Sequence, residues 1–461
     1  MQSISISYQT LEQFSFLKNF VGTPGFDFVK TTSDLVDVLV TGDKVESFKQ
    51  LLNEKNMDYT VMIEDVEEIV TEEYITQEVE RRLKSRIQDY ASGRLSFTYY
   101  PKYNEAKYII VNEYLDYLTK AYSNVASLIT IGNSYEGRVM KVLKLSTGGK
   151  NKPAIFIDGG IHAREWIAPA TVLYMVDLML SSHKDMLNKV DWYVLPVLNP
   201  DGYEFTHTKS ANRLWRKTRS PNSGSNCRGV DGNRNYDMGW MEIGASNNPC
   251  SETYAGPKPF SEVENQHLRD FILARKGQFK AYLTFHSYGQ YILYPWGFTS
   301  QVPSNEPELS KYIILPPPLL FSSVILPVVA QRQSLNLVKP NTLMAALLIT
   351  CVNPAAGGSD DWAMGKAGIN LSYTFELPGG NYGFLLPASE IKAVGIETFE
   401  AIKQIHQYVT SKYASQPDTK SQANSSNNNN NNSNNNNNNN NNDDDDDDDD
   451  NNDPYKWYKY T

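Results

Sequence analysis

At 461 residues and 40% hydrophobic content, the chain is long enough for two or three domains with a sizeable core. Its formal charge of −10 is uneven: residues 417–461 carry ten acids against three lysines, and the remaining body, at about −3, favours neither nucleic acid nor an anionic membrane. Three cysteines are too few for a zinc site built on Cys, which leaves His and carboxylates as metal ligands.

The first residues, Met1 to Tyr8, show no basic region and no apolar run, so no secretory leader is visible. Ile4, Ile6 and Tyr8 alternate with serines, a strand pattern. Leu11, Phe14, Leu17 and Phe20 share one face of a helix. Strands follow at 26–30 and 35–40, then a helix over 44–53 with Asp43 as its cap, then a strand at 59–63. This β-α-β-β-α-β order predicts a small ferredoxin-like α+β unit over residues 1–70. A charged, solvated linker helix covers most of 71–98. Its Arg81, Arg82, Lys84, Arg86 and Arg94 offer cleavage points to a trypsin-like protease.

From Tyr99 to residue 415 the pattern is that of a larger α/β unit. Helices are expected at 104–122 and 168–181. Strands are expected within 131–145 on either side of a turn at Tyr135–Arg138, and at 154–157, 192–198, 279–286 and 371–377. Strands alternating with helices imply a mixed, mostly parallel sheet flanked by helices, with sites beyond the strand ends. Residues 416–461 are Asn-rich, then Asp-rich. They are too polar to bury a core and read as a disordered tail with no part in the chemistry.

His162 and Glu165 follow the apolar run 154–157 after a Gly-Gly break, so both can turn toward one point. His and Glu are both zinc ligands. Alone, this pair is explained as well by a surface loop. His286 and Glu376, however, also fall at strand ends, and that shared placement argues that the four residues meet.

Several longer stretches then agree. Asn212–Arg219 reads Asn-Arg-Leu-Trp-Arg-Lys-Thr-Arg. Gly229–Asp237 reads Gly-Val-Asp-Gly-Asn-Arg-Asn-Tyr-Asp. His286-Ser287-Tyr288 and the Thr-Phe-Glu-Leu ending at Leu377 complete the set. With these motifs, over roughly residues 5–415, the chain resembles the zinc metallocarboxypeptidases of the carboxypeptidase A/B subfamily, activation propeptide included. The resemblance implies one Zn2+ held by His162, Glu165 and His286, with the fourth place open to water. It implies Glu376 as general base and Arg216 as the oxyanion stabiliser. Asn233 and Arg234 match the reader of the substrate's terminal carboxylate, for which a guanidinium fork is suited. Arg164, Ser287 and Tyr288 match the neighbouring substrate-binding positions. Asp360, in Gly-Gly-Ser-Asp-Asp-Trp, matches the base of the pocket for the terminal side chain, which implies a preference for Lys or Arg. Cys227 and Cys250 match a disulfide pair closing a loop of about 24 residues, worth on the order of 3 kcal/mol.

The resemblance fails over 312–353. Residues 313–330 carry no charge, yet four prolines among them exclude a membrane helix. The family pattern resumes abruptly at Pro354, as it would after a shifted reading frame. Asn353 stands where the family places a substrate-capping Tyr. The alternative function is therefore a catalytically impaired, zinc- and peptide-binding homologue.

The expected protein is a zymogen: an inhibitory propeptide (1–70), a cleavable connector (71–98), a catalytic unit (99–415) and a tail (416–461). Its partners are peptide C-termini and an activating trypsin-like protease. It is a monomer, without nucleic acid or membrane insertion. Family and disulfide place it in the secretory pathway, against the missing leader.

Overall fold

In the computed structural model, the described residues are 1–32, 34–86, 95–103, 111–311, 329–331 and 354–414. Asn353, most of the divergent span 312–353, Arg94 and the tail lie outside them. So do the side chains of Arg81, Arg82, Lys84 and Arg86.

The N-terminal sheet comprises β1 (Gln2–Ser7), β2 (Phe26–Thr31), β3 (Leu35–Val40) and β4 (Tyr59–Ile63), in the order β2-β3-β1-β4 and antiparallel throughout. Helices α1 (Leu11–Lys18) and α2 (Gly42–Glu54) cover it. Ile4, Ile6, Val36 and Val38 pack with Phe14, Leu17, Phe48 and Leu52 in one apolar cluster, the face the alternation predicts. The cap of α2 is a correction. Thr41 holds the N-cap position, and Asp43 lies inside the first turn, accepting a 2.6 Å hydrogen bond from the Thr41 hydroxyl.

The linker helix α3 (Val66–Arg86) is not wholly solvated. Val66 and Val70 pack against Leu39, Ile63 and Leu385. Glu73 accepts a 2.7 Å bond from Arg213 Nε, and Tyr74 and Gln77 bond to the Thr206 carbonyl and the Tyr100 amide. One face of α3 is thereby docked on the larger unit.

That unit is built on an eight-stranded mixed sheet. Its strands are β5 (Ala126–Asn133), β6 (Val139–Leu145), β7 (Ala154–Gly159), β8 (Asp191–Leu195), β9 (Phe279–Ser287), β10 (Tyr291–Tyr294), β11 (Val329–Gln331) and β12 (Leu371–Leu377). The order is β11-β10-β12-β9-β7-β8-β6-β5, and the central four, β12-β9-β7-β8, are parallel. The helices are α4 (Val111–Ala121), α5 (Ile167–Ser181), α6 (Pro200–Thr206), α7 (Val263–Leu273), α8 (Glu306–Lys311), α9 (Ser359–Gly365) and α10 (Ile391–Tyr413). The central strands read as unbroken apolar runs because both faces are covered. Ile155, Ile157, Trp192, Val194, Leu283 and Phe285 enter one core, while Phe156, Tyr193, Leu195 and Tyr282 enter the other. Helix α5 is buried nearly all round rather than on one face, since it lies in the first core. Cys227 and Cys250 are bonded, with Cα atoms 5.1 Å apart. Among the described residues no helix is long and apolar enough to cross a membrane.

Glu264 on α7 is buried, and its carboxylate accepts a 2.9 Å bond from the Tyr135 amide. Burial pushes the carboxyl up to about 7, and Glu262 and Asp201 add to that push. The native state therefore holds this proton up to about pH 7, whereas the unfolded chain releases it near 4.5. Between those values the native state binds more protons, so this group's contribution to stability falls as pH rises. Glu264→Gln is expected to raise the thermal unfolding midpoint at pH 8, by up to about 3 kcal/mol in stability, and to leave it unchanged at pH 4.

Candidate active site

The site is assembled where parallel strands end side by side. Glu376 of β12 lies in register with His286 of β9, and β7 runs along the other edge of β9 with Gly159 opposite Phe285. Beyond β7 the chain turns at Gly160, whose φ of +64° is left-handed. A Cβ there would also press on Pro169 at 2.9 Å, so glycine is required. The turn carries His162 and Glu165 back over the end of β9.

His162 Nδ1 is 2.8 Å from Glu165 Oε1 and 3.1 Å from His286 Nδ1, which is 3.3 Å from Glu165 Oε2. The three side chains are buried, and their ligand atoms lie within 4.8 Å of one another. Whether they suit a metal depends on protons. His162 Nε2 faces Asp231 Oδ1 at 3.0 Å. An ionised carboxylate can only accept, so Nε2 carries the proton and Nδ1 presents a lone pair. Two imidazoles and a carboxylate are the donor set zinc takes in open, three-ligand sites.

Asp231 is fully buried yet remains ionised. Burial alone would raise its carboxyl, but Arg216, His162 and Arg234 hold it well below the usual range. It caps the short turn Gly232–Arg234, accepting 2.9 Å from the Asn233 amide, and takes 3.2 Å and 2.8 Å bonds from Arg216 Nε and Nη2. Arg216 Nη1 lies 3.8 Å from the metal-cluster carboxylate of Glu165.

A cavity of about 610 Å³ opens above this cluster. His162, Arg164, Glu165, Arg216, Asn233, Arg234, Ser287, Tyr288 and Glu376 all line it. Arg234 is held by the Gly244 carbonyl at 2.8 Å and the Asn233 carbonyl at 2.9 Å. Gly244 has φ +69°, and a Cβ there would overlap the Pro354 carbonyl. Asp360 does not line the cavity. It is fully buried at the start of α9, one residue beyond Ser359, whose amide donates to Asn233 Oδ1 at 2.9 Å.

The N-terminal unit forms part of the same cavity through Leu17, Phe28, Lys30 and Val36. Asp27 accepts a bond from Arg164 Nη1, whose guanidinium also stacks on Phe384 at 4.3 Å. Tyr288 donates to Asp37 at 3.3 Å. Glu252 faces the same space; burial raises its carboxyl and Asp27 adds to this, against Arg164, Lys217 and Arg216. Reasoning from sequence missed Asp231, Asp27, Asp37 and Glu252. Only Asp231 carried a signal, standing two residues before Asn233 in a motif already singled out. The others stand in no motif: docking of the N-terminal unit brings Asp27 and Asp37 to the cleft, and Glu252 reaches it from the turn after Cys250.

Fold and cluster together define a zinc hydrolase with an N-terminal unit seated on its cleft. Residues 111–401 match the zinc carboxypeptidase family, and residues 4–73 match the carboxypeptidase activation peptide. Carboxypeptidase B of Astacus astacus is 46% identical over 326 residues, covering 69% of this chain and 100% of its own. Carboxypeptidase A1 of Bos taurus is 38% identical over 380 residues, covering 81% and 84%. The crystal structure of carboxypeptidase A from Helicoverpa armigera has a TM-score of 0.77 at 29% identity, covering 89% of this chain and 98% of that one. The chain belongs to the zinc carboxypeptidase family. It is a metallocarboxypeptidase zymogen whose cofactor is zinc and whose substrates are peptides with free C-termini.

Chelation is expected to abolish hydrolysis and added zinc to restore it. Asp231→Asn is expected to weaken zinc retention about 10- to 100-fold, read by competition with a chromophoric chelator; unchanged retention would refute the tautomer argument for His162.

Proposed function

We propose that the activated enzyme removes C-terminal Lys or Arg from peptides and proteins. The residue that carries this is Asp360: it does not line the cavity of the uncleaved chain, but its fully buried carboxylate is joined through Ser359 to the Asn233–Arg234 turn, which does. A carboxylate in that setting favours a cationic side chain over an apolar one. The similarity to a carboxypeptidase B at 46% identity supports the same reading, beside that to a carboxypeptidase A1 at 38%.

In this reading Arg234, with Asn233, binds the terminal carboxylate and orients the last peptide bond. His162, Glu165 and His286 would hold a zinc ion, which would supply Lewis-acid polarisation of the scissile carbonyl and a water acidic near neutrality. Glu376, on the strand beside His286, takes the water's proton and delivers it to the leaving amine. Arg216, held by Asp231, stabilises the oxyanion. Arg164, Ser287 and Tyr288 bind the residues upstream.

Residues 1–70 act as the inhibitory unit, 71–98 as the connector cut by a trypsin-like protease, and 99–415 as the catalytic unit. The tail from 416 takes no part. Asp27 on Arg164 and Asp37 on Tyr288 support this, because both occupy side chains that substrate would need. The enzyme works as a monomer, and the Cys227–Cys250 bond supports its secretion to an oxidising compartment.

Paired peptides ending in Arg and in Phe test the specificity after trypsin treatment. The enzyme is expected to prefer Arg, and Asp360→Ala to lower kcat/KM for the Arg peptide about 100-fold or more with little change for Phe. A preference for Phe in the parent enzyme would overturn the reading. In the uncleaved chain, Asp27→Ala is expected to raise hydrolysis of a short Arg peptide several-fold, since Arg164 is then released; unchanged basal activity would exclude Asp27 from the block.

A further inference from the structure

His162 has a carboxylate behind it, and His286 needs an equivalent, since an imidazole with either nitrogen free to carry the proton is a poor ligand. A hydroxyl stands behind His286 Nε2: Thr284 Oγ1 lies 3.3 Å away. Period-two alternation puts residue 284 on the same face of β9 as residue 286, so this neighbour follows from the strand itself. The next strand supplies the rest. Asp158 of β7 is in register with Thr284, and the Thr284 hydroxyl donates to Asp158 Oδ1 at 2.7 Å. All three side chains are buried, Asp158 and Thr284 with no exposure at all.

A threonine hydroxyl has one proton. Ionised Asp158 can only accept, so the proton is committed to it. Thr284 Oγ1 can then only accept from His286, which places the His286 proton on Nε2. The Nδ1 lone pair is left facing His162 Nδ1 and Glu165, at 3.1 Å and 3.3 Å. Burial lifts the Asp158 carboxyl to about 6, against the Tyr282 and Thr284 hydroxyls that lower it, so at neutral pH it is ionised.

We propose that Thr284 and Asp158 are positioning residues for the metal centre, a hydroxyl-to-carboxylate relay that fixes the tautomer and ring orientation of His286 as Asp231 does for His162. The two imidazoles are thus oriented by two devices. His162 meets its carboxylate across a loop. His286, on a strand, meets its carboxylate one strand away through a side chain of its own strand. Asp158 and Thr284 touch neither substrate nor metal. Their effect reaches the reaction only through His286.

The inference rests on the three-ligand assignment above, and the test separates the two. In the metal-free full-length chain, nitrogen NMR of the His286 ring is expected to show the proton on Nε2. Thr284→Val keeps the shape but removes the acceptor. It is expected to lose that signature and to weaken zinc retention about 10- to 100-fold in chelator competition. Thr284→Ser should restore both. Asp158→Asn, which frees the hydroxyl to turn its proton toward His286, should move both in the same direction by less. The unfolding midpoint of each metal-free variant is measured alongside. Unchanged tautomer and zinc retention in Thr284→Val would overturn the relay. So would weakened retention that merely tracks a drop in metal-free stability, or a failure of Ser to rescue. Zinc retained by His286→Ala would instead overturn the ligand assignment.

Discussion

The Asp231 carboxylate is the contact on which the catalytic face depends. It receives the His162 ring, the Asn233 amide and the Arg216 guanidinium at once. In the proposed mechanism those three partners serve different tasks: metal ligation, reading of the substrate's terminal carboxylate, and stabilisation of developing negative charge. A fully buried carboxylate is costly unless charged groups and hydrogen bonds surround it. Satisfying Asp231 therefore requires all three tasks to be in register, and the cost of burial becomes a constraint on geometry. The ring of His162, the turn holding Arg234, and Arg216 cannot drift independently.

The same cleft has two occupants in the life of the molecule. In the zymogen, Arg164 carries Asp27 and Tyr288 carries Asp37. Neither contact touches the metal ligands, so the centre is preformed beneath the N-terminal unit. In the proposed activation the connector is cut, and α3 is itself anchored by the buried pair Arg213–Glu73, with Arg213 also stacked on Trp166 at 3.6 Å. Removing either partner alone would leave an uncompensated buried charge, so the pair constrains where α3 sits. Cutting near the end of α3 leaves that anchor on the N-terminal fragment, so separation of the fragment, beyond scission alone, has to open the cleft.

Much of the local structure was legible because it follows short-range periodicity. Ile4-x-Ile6 and Val36-x-Val38-x-Val40 turn one face into the N-terminal core, and the sheet pairs accordingly. The runs 154–157 and 192–195 are apolar throughout because the strands are covered on both sides. What failed was contact-dependent. Asp43 looked like a cap, but Thr41 stands at the N-cap and Asp43 accepts from its hydroxyl. The helix from Val66 looked solvated because its charges dominate its composition, while a few residues, Val66, Val70, Glu73 and Gln77, decide where it docks.

The residue identities fix the chemistry available: two histidines and a glutamate with zinc-ligand character, a carboxylate at Glu376, and arginines in motifs rather than scattered. Those identities are written residue by residue, and their motifs are short enough to read. The tertiary structure alone decided their protonation and their neighbours. Asp231 with His162, Thr284 with Asp158, and Asp27 with Arg164 pair residues 69, 126 and 137 positions apart. Such pairings are set by strand register and by the docking of one unit on another. No local pattern encodes a contact of that range, because many chain paths place the same residues apart and only the packed sheet brings them together.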